Sequence, residues 1–155
     1  MSSAGVAPLS VEDRLAITEL LARYCWCFDT ADVDSFVALF TPDARYELDG
    51  GRLFVGRDAI GGYLRQAAGS TWLPGRQHHV DQIVLEGTSE RVTARAYCTV
   101  THRSPDGVMS IAYLGRYADV CVKIDRQWRF HERIVRTWRS DELLAAAPSA
   151  DAARG

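Results

Sequence analysis

The chain has 155 residues, 47% of them hydrophobic and 25% charged, with 18 basic against 20 acidic side chains, a formal charge of −2 and a pI near 6.1. This composition fits one globular domain large enough to bury a core, and it lacks the basic excess that nucleic acid or an anionic membrane surface would select. No basic and then apolar leader opens the chain and no apolar run reaches membrane-spanning length, so a soluble, cytoplasmic protein is expected.

Residues 1–9 read as a flexible leader. Ser10-Val11-Glu12-Asp13 then has the composition of a helix start, because a Ser hydroxyl accepts from orphan amides and acids favour the positive end of the helix. Val11, Leu15, Ile17, Leu21, Tyr24, Cys25 and Phe28 recur at helical spacing and predict an apolar stripe on a helix running to about Phe28. Asp32 is placed to cap a second short helix carrying Val33, Phe36, Val37, Leu39 and Phe40, which Thr41-Pro42-Asp43 is expected to stop.

Ala44 to Leu48 and Leu53 to Val55 flank Asp49-Gly50-Gly51, a composition suited to the positive backbone angles of a tight hairpin. A third helix is predicted from about Arg57 to Gln66. Four strands follow, near Gln77–Leu85, Arg91–Arg103, Val108–Val122 and Trp128–Trp138, separated by turn-forming segments. Consecutive strands of this kind predict an antiparallel meander. The domain should span residues 10–140, and the Ala-rich tail over 141–155 reads as a short helix or as disorder. Helices first and a meander second imply an α+β layer in which a curved sheet wraps the helices.

Alternation across the second long strand puts Val92, Ala94, Ala96, Cys98, Val100 and His102 on one face and Arg95, Tyr97, Thr99, Thr101 and Arg103 on the other. In the last strand the same alternation groups Trp128, Phe130, Ile134 and Trp138 with Glu132 and Arg136, and a Glu132–Arg136 pair is expected there. Cys25, Cys27, Cys98 and Cys121 have no C-x-x-C spacing and read as reduced, buried small hydrophobes. No phosphate-cradling loop or dinucleotide fingerprint is present. Neighbouring strand histidines point opposite ways, which argues against a zinc site built on His78 and His79.

The chemistry-bearing residues are few. Asp29 follows the bulky run Tyr24-Cys25-Trp26-Cys27-Phe28 at the end of the first helix, His78-His79 opens an apolar strand, and His102 closes the next. Removing a carbon-bound proton beside a carbonyl needs a base, an acid at oxygen, and a place that excludes water. Histidine serves either role, and a carboxylate on its far nitrogen fixes the tautomer and stabilises the imidazolium. Asp29 with His78 is the preferred dyad. Tyr24 or Tyr117 is suited to polarise a substrate oxygen and Arg136 to bind a carboxylate or enolate. His79 is expected on the surface and His131 in a structural role.

Taken in order, Asp13-Arg14-Leu15-Ala16-Ile17, Tyr24, Phe28-Asp29-Thr30-Ala31-Asp32, Leu39-Phe40-Thr41-Pro42-Asp43-Ala44, Val55-Gly56-Arg57-Asp58-Ala59-Ile60, His78-His79-Val80, Gly115-Arg116-Tyr117-Ala118-Asp119 and Trp128-Arg129-Phe130 form a longer pattern. It resembles the SnoaL-like polyketide cyclase and dehydratase branch of the nuclear transport factor 2-like superfamily over residues 10–139. The resemblance implies a cone, in which a bent, mostly antiparallel sheet wraps three helices around a deep apolar cavity. It also implies cofactor-free chemistry of the kind run by scytalone dehydratase, bile acid 7-dehydratase and hexachlorocyclohexane dehydrochlorinase. Positions like Asp29, His78, His102 and Tyr24 then carry catalysis, and Tyr117, Arg136, Phe28, Tyr46 and Trp138 meet the substrate. Phe28 and Leu48 stand where scytalone dehydratase has active-site tyrosines, which argues against scytalone as the substrate. The expected activity is a lyase acting on a hydrophobic cyclic metabolite. Polyketide cyclisation, ketosteroid-type isomerisation, and a non-catalytic ligand-binding or assembly module, such as the small subunit of a dioxygenase, are the alternatives. Homodimerisation is implied by the family, through an outer sheet face to which Tyr97, Thr99 and Val120 contribute.

Overall fold

A computed structural model describes residues 7–138. Helices α1 (Val11–Asp29) and α2 (Val33–Ala38) come first, then strand β1 (Phe40–Leu48), one 3-10 turn at Asp49–Gly51, β2 (Arg52–Val55) and α3 (Gly56–Ala68). Four long strands follow: β3 (Arg76–Gly87), β4 (Arg91–Arg103), β5 (Met109–Ile124) and β6 (Gln127–Thr137). They join one curved six-stranded sheet in the order β2-β1-β6-β5-β4-β3. Every neighbouring pair is antiparallel except β1 with β6, which is parallel. No helix among the described residues is long and apolar enough to cross a membrane.

The helix starts follow their capping chemistry. Ser10 Oγ accepts from the Asp13 amide at 3.1 Å, and Asp32 Oδ1 accepts from the Ser35 amide at 3.1 Å. The expected stripe on α1 needs one correction, since Val11 and Leu15 are 69% and 67% exposed. At about 100° per residue, Ile17, Leu20, Leu21, Tyr24, Cys25 and Phe28 share an arc of roughly 140°, and Val11 and Leu15 fall outside it. Asp13 falls inside the arc and is buried; its carboxylate pairs with Lys123 and accepts from Trp128 Nε1 at 2.8 Å.

Thr41-Pro42-Asp43 does not act as a separate stop. It lies within β1, at a register shift against β6 between Phe40 and Arg45. A bulge leaves residues outside the ladder, so the missing N–H of proline costs no ladder bond there. Ala7 and Pro8, expected in a flexible leader, are joined to the β3–β4 turn: Ser89 N donates to Ala7 O at 2.9 Å and Pro8 bridges Thr88. The expected tail over 141–155 lies outside the described residues.

Bulges set the curvature and decide which side chains face inward. β4 alternates as read, with Val92, Ala94, Ala96, Cys98 and Val100 all buried. In β6 the expectation fails after Phe130, because His131 is an extra residue between the Cys121–Phe130 and Val120–Glu132 pairs. One added residue flips all later side chains to the other face. Arg133 and Val135 therefore point into the core, while Glu132, Ile134 and Arg136 do not. The expected Glu132–Arg136 pair is absent, and Arg136 binds Glu47 at 2.5 Å instead. The core lies between the concave sheet face and the three helices, centred on Tyr24, Phe36, Phe40, Tyr46 and Phe130.

Candidate active site

The last turn of α1 sets Asp29 against the start of β3. A carboxylate at a helix C-terminus opposes the macrodipole, and no basic residue sits in that turn to offset it. His78 supplies the compensation. Its backbone N–H donates to Asp29 Oδ2 at 2.8 Å, and its Nδ1 lies 2.5 Å from Asp29 Oδ1. Both side chains are largely buried, at 15% and 12% exposure. Two contacts from one residue fix the carboxylate plane and the imidazole together, and the ring packs against Phe28 with centroids 5.0 Å apart. With Nδ1 bonded to Asp29, Nε2 is the nitrogen left for a ligand.

His78 lines a cavity of about 320 Å³ together with Tyr24, Phe28, Tyr46, Tyr63 and Tyr117 among other side chains. That volume stands at the small end of ligand pockets, which run from about 300 to 1,000 Å³. Tyr24 and Tyr46 join their hydroxyls at 2.7 Å. Cys98 donates its thiol to the Tyr117 hydroxyl at 2.9 Å, which leaves the phenolic proton for another acceptor. Burial raises the phenols of Tyr24, Tyr46 and Tyr117 well above their ordinary value, so all three are neutral donors.

Behind the tyrosines lies a feature the sequence reading missed. Arg133 and Asp119 are fully buried and joined by two parallel bonds of 2.8 Å, Nε to Oδ1 and Nη2 to Oδ2. The guanidinium is sandwiched among Tyr24, Tyr117 and Phe130, at 3.9, 4.0 and 4.1 Å from their ring centroids. Burial works to discharge Arg133, and the Asp119 carboxylate outweighs it and holds the guanidinium charged. That fixed positive charge opposes the rise of the Tyr24 and Tyr117 phenols. An alternation rule without the bulge puts Arg133 outside, so no local signal pointed to it.

Of the residues singled out in the sequence, Asp29 and His78 meet each other, and Tyr24, Phe28, Tyr46 and Tyr117 join His78 in the cavity wall. The other three do not line it. His102 pairs in register with Arg76 beyond Val100, at the end of β4, and its ring lies against Gly75. Arg136 is turned outward by the bulge and engaged by Glu47. Trp138 follows β6 and stacks edge-on against Tyr97, centroids 4.8 Å apart, on the outer face. His79 is exposed on that side, 3.1 Å from Thr101 Oγ1. Cavity residues not singled out include Asp49, Arg52, Tyr63, Trp72, Arg76 and Tyr113. Most stand in turns or at strand starts, where no periodicity reports which way a side chain points.

The SnoaL-like domain profile matches residues 9–134, which takes in both members of the Asp29–His78 pair and the whole sheet up to Ile134. The chain belongs to the SnoaL-like domain family. Among solved structures, this SnoaL-like protein is similar to an Asp-to-Asn variant of Rv3472, a function unknown protein from Mycobacterium tuberculosis, with 31% identity, a TM-score of 0.76, and 92% of this chain and 83% of that one covered. A candidate scytalone dehydratase from Novosphingobium aromaticivorans matches at 27% identity and TM-score 0.73, covering 83% and 86%. Aln2 from a Streptomyces species matches at 26% identity and TM-score 0.77, covering 91% and 99%. A search among curated proteins finds no match. These neighbours share the overall fold of the SnoaL-like chain.

Proposed function

We propose that the protein is a cofactor-independent lyase of the dehydratase type, acting on a hydrophobic cyclic small molecule. The observation that carries this reading is the imidazole of His78, held through Nδ1 by a buried carboxylate in the wall of an aromatic cavity. The candidate scytalone dehydratase among the similar structures supports the same class.

In the proposed reaction His78 Nε2 takes a proton from the carbon next to a substrate carbonyl. Asp29 stabilises the imidazolium that forms, and positioned acid–base transfer of this kind is worth on the order of 10²–10⁴ in rate. The electron pair moves to the carbonyl oxygen, where the phenolic protons of the Tyr24–Tyr46 pair and Tyr117 are donors. Its return forms the carbon–carbon double bond and breaks the bond to the β-hydroxyl, which leaves with the proton from His78 as water. Isomerisation or ring closure by the same base would release no water.

The test is turnover of the ligand that co-purifies with the protein, identified by mass spectrometry. Loss of one water is expected with the native chain, and His78→Ala and Asp29→Asn are each expected to abolish it while circular dichroism stays native. Full activity in either variant overturns the assigned roles.

We also propose that the chain forms a homodimer through the outer sheet face. Tyr97, Leu114 and Trp138 stand there 46%, 49% and 37% exposed, an unusually apolar cluster for a face left to water.

A further inference from the structure

Two guanidinium groups at the cavity have no counter-ion among the described residues. Arg52 opens β2 and Arg76 opens β3, and both line the cavity that His78 lines. Arg52 lies over the rings of Phe54 and Tyr63, at 5.6 and 5.7 Å, and Arg76 lies 5.0 Å over Trp72. Both charges are felt at the same phenol: burial raises Tyr63, and Arg52 and Arg76 each oppose that rise.

Among the described residues neither group takes part in an ion pair. Arg76 Nε is buried with no hydrogen-bond partner. The carboxylate in the cavity lining, Asp49, is occupied elsewhere. It accepts from the Thr137 amide at 2.7 and 2.9 Å, from the Thr137 hydroxyl, and from Tyr113 at 3.2 Å. Arg133, by contrast, is forked onto Asp119 with Nη1 alone unpartnered, Arg136 is bound to Glu47 and Arg57 is bound to the Phe40 carbonyl. A partly desolvated guanidinium without an acceptor is costly, and its planar fork matches a carboxylate.

We propose that the cavity takes a carboxylate-bearing aromatic or alicyclic molecule, its acid group held by Arg76 and Arg52 and its ring against Phe28 and Tyr63. This rests on the dehydratase reading of the same cavity and narrows its substrate class to small cyclic acids of one or two rings, in keeping with a volume of about 320 Å³. The anionic end sits at the starts of β2 and β3, and the reacting carbon is brought to His78.

Binding rather than turnover tests this. The probes are 6-hydroxy-2-naphthoate and its neutral primary amide, titrated by calorimetry against the native chain and against Arg76→Gln, Arg52→Gln and His78→Ala. The acid is expected to bind about tenfold or more tightly than the amide, the scale of a charge-assisted fork. Arg76→Gln is expected to remove that preference by weakening the acid far more than the amide. Arg52, exposed at its strand start, is the second variant, and Arg52→Gln is expected to reduce the preference without perturbing the core. His78→Ala is expected to keep the preference, so loss of the dehydratase reading and loss of this one give different results. Equal affinity for acid and amide in the native chain, absence of binding by both, or equal weakening of both in Arg76→Gln overturns the proposal.

Discussion

Asp29 holds His78 by two separate contacts, one to the backbone N–H at 2.8 Å and one to the ring Nδ1 at 2.5 Å. A single contact would orient the ring; the second ties the carboxylate to the strand, so neither group turns without the other. Nitrogen-15 correlation spectra of labelled protein with the His78 ring neutral are expected to show Nδ1 protonated and Nε2 unprotonated. Asp29→Asn removes that bias, and a native spectrum with the proton on Nε2 would refute the proposed base.

Tyr24 shares a hydroxyl hydrogen bond with Tyr46 in the cavity wall. Tyr24→Phe keeps the ring and deletes one donor. The kcat is expected to fall by about 10²–10³, the cost of removing one oxyanion donor, with KM little changed. A kcat within a factor of about two of native would show that this hydroxyl does not touch the reacting oxygen.

The Arg133–Asp119 pair is a liability when broken. Asp119→Asn leaves a buried guanidinium without its counter-charge and is expected to cost about 3–5 kcal/mol in urea unfolding. The double variant Asp119→Leu with Arg133→Met removes both charges and is expected to recover most of that loss. No recovery would mean that the pair acts through shape rather than charge.

Asp13 gives a pH dependence with a definite sign. Its hydrogen bond to Lys123, opposed by burial and helped by Trp128 and Ser10, holds the carboxyl below the ordinary 3.8. A depressed folded value means that stability is present above the unfolded pKa and is lost as pH falls through the folded one. Asp13→Asn is expected to destabilise by about 1–2 kcal/mol at pH 7. The difference from native should shrink as pH drops below about 4, and a gap that stays constant down to about pH 2.5 would contradict the ion-pair account.

Light scattering coupled to size exclusion at micromolar concentration is expected to give the mass of a dimer. Tyr97→Glu on the outer face is expected to give a monomer with a native circular dichroism spectrum. A native chain that elutes as a monomer would dismiss the outer face as an interface.

Much of the architecture could be read from local signals. Caps at Ser10 and Asp32, the Gly50-Gly51 turn with both residues at positive φ, and the strict alternation of β4 all act over a few residues, and among the described residues each predicted element appears within a few residues of its expected bounds. Asp29 and His78 were legible because each is an anomaly in its own element: an acid at the wrong end of a helix dipole, and a histidine on an apolar strand. Their separation of 49 positions along the chain hid that they meet.

The features hidden from the sequence turn on register. The extra residue at His131 exchanges the faces of β6, sends Arg136 out to Glu47 and brings Arg133 in to Asp119, and no pattern of period two announces where such a residue will fall. His102 and Trp138 were given site roles by the family resemblance, and neither lines the cavity. Arg52 and Arg76 sit at strand starts, where the chain turns and periodicity ends, so their convergence on one cavity appears only once the sheet has curved. The elements and the candidate residues Asp29 and His78 are legible in the amino-acid order alone, because they rest on local chemistry. The cavity's charge belongs to the fold, because it depends on which faces the bulges turn inward.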